Sequence, residues 1–356
     1  MPRERESSIE GFELQCACAS QLEKLFVMEQ KNNTDGGVYE KIATQIERSA
    51  VASSEHCGRR LDQVASELFS EFSRSRLQQW IRSGLLRVDG EQCVPKQKLL
   101  GGEALCISAS ITAEGEWVAE DIPLNIVYED DHLIVINKTA NFVVHPAAGN
   151  HSGTVLNALL FHCPQLISVP RAGIVHRLDK DTTGLMVVAK TLEAHTNLVS
   201  QLQARSVKRV YQAVVSGLLT GSGKIDQPIG RHPRQRIKMA VVADGKEART
   251  QYSVLERYQG HSHVQLRLET GRTHQIRVHM AYLGYPLVGD NLYAGRFRIH
   301  KGASSELVDY VRNFGRQALH AAELGLFHPA TGEPISWSSA LPADIESLLV
   351  ALQNAQ

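Results

Sequence analysis

The chain has 356 residues, 43% of them apolar, and its 38 basic side chains are matched by 38 acidic ones, so the formal net charge is zero. That length suggests two domains or three. No run of about 20 apolar residues is present to cross a membrane as a helix, and an apolar content this high without net charge excludes an intrinsically disordered chain.

In chain order, residues 1–57 hold six basic and ten acidic side chains, a local balance of −4. They include Asn32-Asn33-Thr34-Asp35-Gly36-Gly37, a loop signal, and are expected to be an acidic, poorly ordered extension with short helical pieces. The opening MPRERESSIEGFE is charged and lacks the apolar segment of a signal peptide. The six cysteines are scattered without a CxxC pair. They suit neither a disulfide framework nor a zinc ribbon, and a reducing cytoplasm is the expected compartment.

Residues 58–107 read as a small α+β unit. Leu61, Val64, Ala65, Leu68 and Phe69 recur at helical spacing. Ser73 is a suitable N-cap for a second helix that buries Leu77, Trp80 and Ile81, and Gly84 follows as its C′ residue. Leu86-Arg87-Val88 then leads into a tight Asp89-Gly90 turn. Arg74, Gln78 and Arg82 share one helix face. With Arg60 and Arg76 they make a basic surface suited to RNA phosphates.

Residues 108–125 form a linker, and from Ile126 to about residue 350 the pattern is that of a second, larger domain. Strands are expected at 126–128, 133–136, 185–189, 208–216, 250–255 and 263–268. Helices are expected at 154–161, 191–203 and 273–283. Strands that follow one another without intervening helices predict an α+β domain on a mixed, largely antiparallel sheet.

The densest chemistry lies in GIVHRLDKDTTGLMVVAK, residues 173–190. It sets His176, Arg177, Asp179, Lys180 and Asp181 on a short loop between apolar strands, the usual way a scaffold presents an active site. From its type alone, the Asp179 carboxylate is a nucleophile, a base or a metal ligand. His274 and His279 stand five apart, which does not share a helix face as metal-binding i, i+4 histidines do, so no metal site is expected.

GIVHRLDKDTTGLMVVAKT resembles the signature of RluA/RluD-type pseudouridine synthases. IVYEDDHLIVINK with VVHPAAGN, LETGRTHQIRVHMAYLGYPLVGDNLY and RQALHAAELGLFHP agree with that family in order and spacing. GRRLDQVASELFSEFSRSRLQQWIRSGLLRVDG resembles the RNA-binding domain named after a small-subunit ribosomal protein. This arrangement is similar to the RluD-like branch, which acts on large-subunit ribosomal RNA. The resemblance implies a monomeric enzyme of ribosome biogenesis that breaks the N1–C1′ bond of uridine and rejoins the base through C5. This isomerisation requires no cofactor.

By similarity, the catalytic residues are Asp179, Tyr211 and Arg277. An arginine can pair with the carboxylate and keep its charge when buried, and a tyrosine ring can stack on uracil. Arg177 is expected to fill the stack vacated by an extruded uridine. His176, Leu268, Arg272 and His274 are expected to contact substrate. Thr139 and Asn141 stand where relatives commonly carry Pro and Gly; this departure is expected to touch no catalytic position. Other readings fit less well: a kinase lacks its Gly-rich loop and DFG, and a glycosidase needs a second catalytic carboxyl. The alternative from another class is a non-enzymatic binder of structured RNA, which has no need of Asp179, Tyr211 and Arg277 together.

Zero net charge looks adverse to nucleic acid, but charge by region reverses this. Residues 205–249 hold ten basic and three acidic side chains, a balance of +7. Their segment Arg231, Arg234, Arg236 and Lys238 is expected to reach RNA phosphates as an arm. Removing the acidic extension is therefore expected not to weaken RNA binding.

Overall fold

The computed structural model describes residues 43–69, 72, 74–112, 117–146, 150–295, 299 and 302–355. The expected N-cap Ser73 and the first 42 residues of the acidic extension lie outside these described residues.

The small unit comprises β1 (Ala43–Val51), α1 (Leu61–Leu68), α2 (Arg74–Ser83), β2 (Leu86–Val88), β3 (Glu91–Gln92) and β4 (Ala104–Thr112). The helical spacing read from sequence is the buried stripe: Leu61, Val64, Ala65, Phe69, Leu77, Trp80 and Ile81 form one core. Asp89 and Gly90 turn the chain with φ of 49° and 81°, the left-handed pair of a tight hairpin. One boundary needs correction. β1 lies within the stretch read as extension, yet it pairs antiparallel along all of β4, and β4 runs into the stretch read as linker. The strand was hidden because its large apolar residues are only Ile46 and, at its end, the exposed Val51. Its pairing with β4, rather than a local apolar pattern, marks it as a strand.

The larger domain comprises β5 (Ile126–Glu129), β6 (Leu133–Lys138), α3 (Val155–His162), β7 (Thr183–Ala189), α4 (Leu192–Gln203), β8 (Lys208–Ser216) and β9 (Ser222–Asp226). It continues with β10 (Ile229–Arg231), β11 (Met239–Val241), β12 (Arg249–Tyr258), β13 (His261–Leu268) and α5 (Gln275–Tyr282). It ends with α6 (Ser305–Arg312), β14 (Leu319–Phe327), β15 (Pro334–Ser338) and α7 (Ala343–Asn354). The main sheet has nine strands in the order β5-β6-β7-β14-β8-β13-β12-β9, with β15 also on β14. Its pairings are antiparallel except β7 with β14, so the sheet is mixed and largely antiparallel.

Strand alternation sends Leu133 and Val135 of β6 into one core with α4, and Ile134 and Ile136 into the other with α3. β7 is buried along its whole length, which accounts for the uninterrupted apolar run at 185–189. At Gly184, φ is +112° and an added Cβ would lie 2.3 Å from the Ala321 carbonyl. Only glycine permits β14 to close on β7 there. Four adjacent central strands, β7, β14, β8 and β13, thereby carry the segments of highest chemical content to one region. Among the described residues no helix is long and apolar enough to cross a membrane.

Candidate active site

A cleft of about 900 Å³ opens over these strands, lined among others by Asp179, Tyr211, Leu268 and Arg277. Asp179 precedes β7 in a turn closed by Thr182 N–H donating to its carbonyl at 3.1 Å. Arg277 projects from α5, and its Nη1 donates to Asp179 Oδ2 at 2.9 Å. The two residues are 98 positions apart in sequence.

Arg277 is shared. Its Nε and Nη2 donate to Asp290 at 2.7 and 2.9 Å, and its guanidinium lies 5.0 Å from the Tyr293 ring centroid. Asp290 is 1% exposed, and its Oδ1 also accepts the amides of Leu292 and Tyr293. Burial alone would depress the arginine, but Asp290 and Asp179 more than offset it and hold its pKa above the ordinary value. The result is a fixed cation against one face of the Asp179 carboxylate, with a second, fully satisfied carboxylate holding that cation from behind.

The predicted helix from Thr273 begins at Gln275, because His274 adopts φ of +56°. That turn aims His274 Nε2 at Asp179 Oδ1, 3.9 Å away. Tyr293 Oη accepts the Met239 amide at 2.9 Å and meets His274 Nδ1 at 2.8 Å. In that bond either the tyrosine hydroxyl or Nδ1–H donates, according to the histidine tautomer. Burial holds this histidine below its usual pKa, so it stands neutral at pH 7.

The turn itself is pinned by cations and amides from other elements. Lys138 Nζ donates to the Lys180 carbonyl at 2.8 Å, and Arg316 Nη1 to the Asp181 carbonyl at 3.0 Å. Gln317 Nε2 donates to Thr182 Oγ1 at 3.0 Å. Lys138 also holds the carbonyls of Thr139 and Phe142. The backbone of the segment around Thr139 is thus tied through Lys138 to the carbonyl of Lys180, next to Asp179. Asn141 takes the left-handed conformation, φ 58°, which asparagine tolerates.

Tyr211 of β8 is buried and lines the cleft with Leu268 at the end of β13; burial pushes its hydroxyl pKa up. Arg177 is exposed at the cleft wall. Arg272 also lines it while its Nε donates to the Glu247 carbonyl. His176 lines the cleft as well. Its Nε2 accepts the Val187 amide at 3.1 Å, and burial, then Arg209, lowers its pKa to about 3. It is a neutral brace of β7. His279 is a brace too, bonded to Thr250 Oγ1 and the Gln227 carbonyl. Among the described residues no three His, Cys, Asp or Glu side chains form a metal-binding group.

In the small unit, Asp62, fully buried, accepts from Arg60 at 2.9 and 3.0 Å, from Arg74 at 2.8 Å and from Gln78 at 2.6 Å. Arg60 and Arg74 thus clasp the two helices together, while 37% and 46% of their side chains stay exposed. Arg82 remains exposed. In the β10–β11 hairpin, Arg231, Arg234 and Arg236 are exposed and Lys238 half-buried, with Arg231 Nη1 donating to the Arg236 carbonyl.

Asp290, Tyr293, Lys138, Arg316 and Arg209 were not singled out from sequence, although all but Arg209 fall inside the motifs quoted above. Buried charge in otherwise apolar surroundings was the available signal.

The model of the RNA pseudouridylate synthase family matches residues 132–282, and that of the S4 domain matches residues 59–105. The chain is 59% identical over 313 residues to ribosomal large subunit pseudouridine synthase D of Pseudomonas aeruginosa, covering 88% of this chain and 98% of the relative. Its likeness to the protein of the same description from Vibrio parahaemolyticus is 54% over 314 residues, covering 88% and 97%. The solved structure of human RNA pseudouridylate synthase domain containing 4 superposes with a TM-score of 0.51 at 27% identity, over 64% of this chain and 93% of that one. With the RNA-binding S4 unit in front and Asp179, Tyr211 and Arg277 gathered in one cleft, the chain belongs to the RluD-like branch of the pseudouridine synthase family.

Proposed function

We propose that the chain isomerises specific uridines of large-subunit ribosomal RNA to pseudouridine, in the cytoplasm and as a step of ribosome biogenesis. The single observation that carries the site assignment is the 2.9 Å bond from Arg277 to Asp179 in the cleft that Tyr211 lines.

The geometry supports the following roles. Asp179 acts at C1′ as the N1–C1′ bond breaks, so it must be ionised in a site that shields it from water. Desolvation opposes that charge, and Arg277 offsets it while Asp290 keeps the arginine from swinging away. Tyr211 and Leu268 offer an aromatic and an apolar face to the released uracil as it turns to present C5. The Tyr211 hydroxyl is assigned to assist removal of the C5 proton. Arg177, exposed at the wall, fills the stack left by the extruded nucleotide. The S4 unit, through Arg76 and Arg82, and the hairpin with Arg231, Arg234, Arg236 and Lys238 hold phosphates and set register without reading bases.

The test is a transcript-wide pseudouridine map of ribosomal RNA from a deletion strain complemented with wild type or Asp179→Asn. Large-subunit pseudouridines should vanish on deletion, return with wild type and stay absent with Asp179→Asn. An unchanged map in the deletion strain overturns the substrate assignment.

A further inference from the structure

Arg209 lies on β8 two residues before Tyr211, so the two side chains share a strand face, and both line the cleft. It is 7% exposed. Its Nε is buried without a hydrogen-bond partner, and its Nη2 makes one long contact, 3.5 Å, to the Glu269 carbonyl. Among the described residues no carboxylate pairs with it. This sets it apart from the other buried arginines, since Arg277 is held by Asp179 and Asp290 and Arg316 by Asp344. A cation kept out of water and unpaired is costly, and burial works against its charge here.

The site around it is shaped to admit that side chain. At Gly271 an added Cβ would lie 2.8 Å from Arg209 Nη1, so the glycine leaves room for the guanidinium fork. Arg205 and Arg272 line the same cleft, and both are tied to Glu247, through its carboxylate and its carbonyl respectively. This wall carries three arginines, and the carboxylate lining the cleft beside them, that of Glu269, is taken by Lys224 and Gln251.

We infer that Arg209 is the seat for a phosphodiester of the bound RNA, one of the two phosphates flanking the extruded uridine. The inference rests on the reading of the cleft as the site of pseudouridine formation. A phosphodiester is the standing anion of RNA, it matches the planar fork of an arginine, and it alone supplies the negative charge that the fold withholds from Arg209. Anchoring this phosphate fixes the nucleotide against Tyr211, the next cleft-facing residue along the strand. Arg209 is thus assigned as a positioning residue.

The test pairs Arg209→Gln with RNA fragments carrying one methylphosphonate at either flanking phosphate. Pseudouridine formation by wild type on the unmodified fragment checks the underlying reading separately. With wild type, one of the two neutral linkages should weaken binding by about tenfold, and with unmodified RNA Arg209→Gln should do the same and lower the salt slope by about 0.7. Combined, the two changes should cost no more than either alone, with thermal stability not reduced, as expected where an unpaired charge is removed. Additive losses in affinity, or a slow reaction with unchanged affinity, would overturn the inference, the second outcome placing Arg209 on the uracil instead. Arg209→Lys retains the charge without the fork and should show partial coupling, so the cycle can still refute the inference if the glutamine variant does not fold.

Discussion

Lys138 at the end of β6 is 2% exposed, and its Nζ donates to the carbonyls of Thr139, Phe142 and Lys180 at 2.7, 2.9 and 2.8 Å. All three ammonium hydrogens are therefore used, one of them on the residue that follows Asp179. Lys138→Met keeps an apolar stem and leaves the Thr139 and Phe142 carbonyls without their donor, while the Lys180 carbonyl keeps the Phe142 amide at 3.1 Å. A buried polar group left unpaired costs roughly 1–3 kcal/mol, so the loss of stability should be about 2–3 kcal/mol. The larger effect falls on chemistry, because a shift of about 1 Å at a reacting group costs on the order of 100-fold. Single-turnover release of tritium from RNA carrying 5-tritiated uridine should slow by about that factor, with RNA affinity nearly unchanged. A methionine variant that reacts at close to the wild-type rate refutes the idea that Lys138 positions the turn.

The same group has a pH signature. Burial pushes the Lys138 ammonium down to about 7, against the pull of the Asp181 and Asp179 carboxylates. A neutral amine has two hydrogens for three carbonyls, so one tether is lost as pH rises through about 7 and the rate should fall. Stability moves the other way. Between the folded value of about 7 and the ordinary 10.5, the unfolded chain holds a proton that the folded chain has released, so this group adds stability as pH rises. Activity that declines above neutrality while the unfolding temperature holds is the expected pair of results. A rate that stays flat well into the alkaline range refutes it.

Asp290→Asn turns an amide N–H toward Arg277 Nε, which now donates to Asp290 at 2.7 Å. Breaking this buried pair should cost about 3–5 kcal/mol of stability and slow catalysis by about 100-fold, checked by denaturant unfolding beside single-turnover kinetics. For Asp62, burial alone would raise the pKa, but hydrogen bonds from Arg74, Arg60 and Gln78 more than reverse this and bring it to about 2. Its contribution is complete above the ordinary 3.8 and is lost as pH falls toward about 2. Hydrogen exchange in α1 and α2 should therefore show an acid loss of protection that Asp62→Asn, already destabilised at neutral pH, does not show. Replacing Arg234, Arg236 and Lys238 together by Gln should lower the slope of log affinity against log salt by about 2 while leaving the rate of bound RNA unchanged; an unchanged slope removes the hairpin from the RNA contact.

Local features of the sequence translated well into structure. β8 spans Lys208–Ser216 as expected, and α4 begins where Thr191 caps it with a side chain that accepts the Ala194 amide. Tertiary features did not. The spacing of Arg74 and Gln78 at i, i+4 is visible in the sequence, but Asp62 lies 12 and 16 positions earlier, and only the packing of α1 on α2 shows that it consumes both. β1 carries too little apolar contrast to be seen apart from β4. Asp179 and Arg277 were linked by family resemblance, because no periodicity relates residues 98 positions apart.

What the structure adds to the motifs is a reason for their length. Four consecutive residues of the Asp179 turn are each held by a different group: the carboxylate of Asp179 by Arg277, the carbonyl of Lys180 by Lys138, the carbonyl of Asp181 by Arg316, and the hydroxyl of Thr182 by Gln317. The holders come from α5, from the end of β6 and from the segment just before β14. β6 and β14 flank β7 in the sheet, and their contact with it is close enough that Gly184 admits no side chain. A carboxylate that must stay charged yet meet a sugar carbon cannot rely on water for its orientation, and a surface loop would let it turn away from the reacting atom. Here reorientation requires breaking a buried ion pair or at least one bond from a buried cation or amide. The charged residues dispersed through the motifs at 138, 179, 277, 290 and 316 are therefore one device, in which Lys138, Arg277, Asp290 and Arg316 serve to make Asp179 immobile.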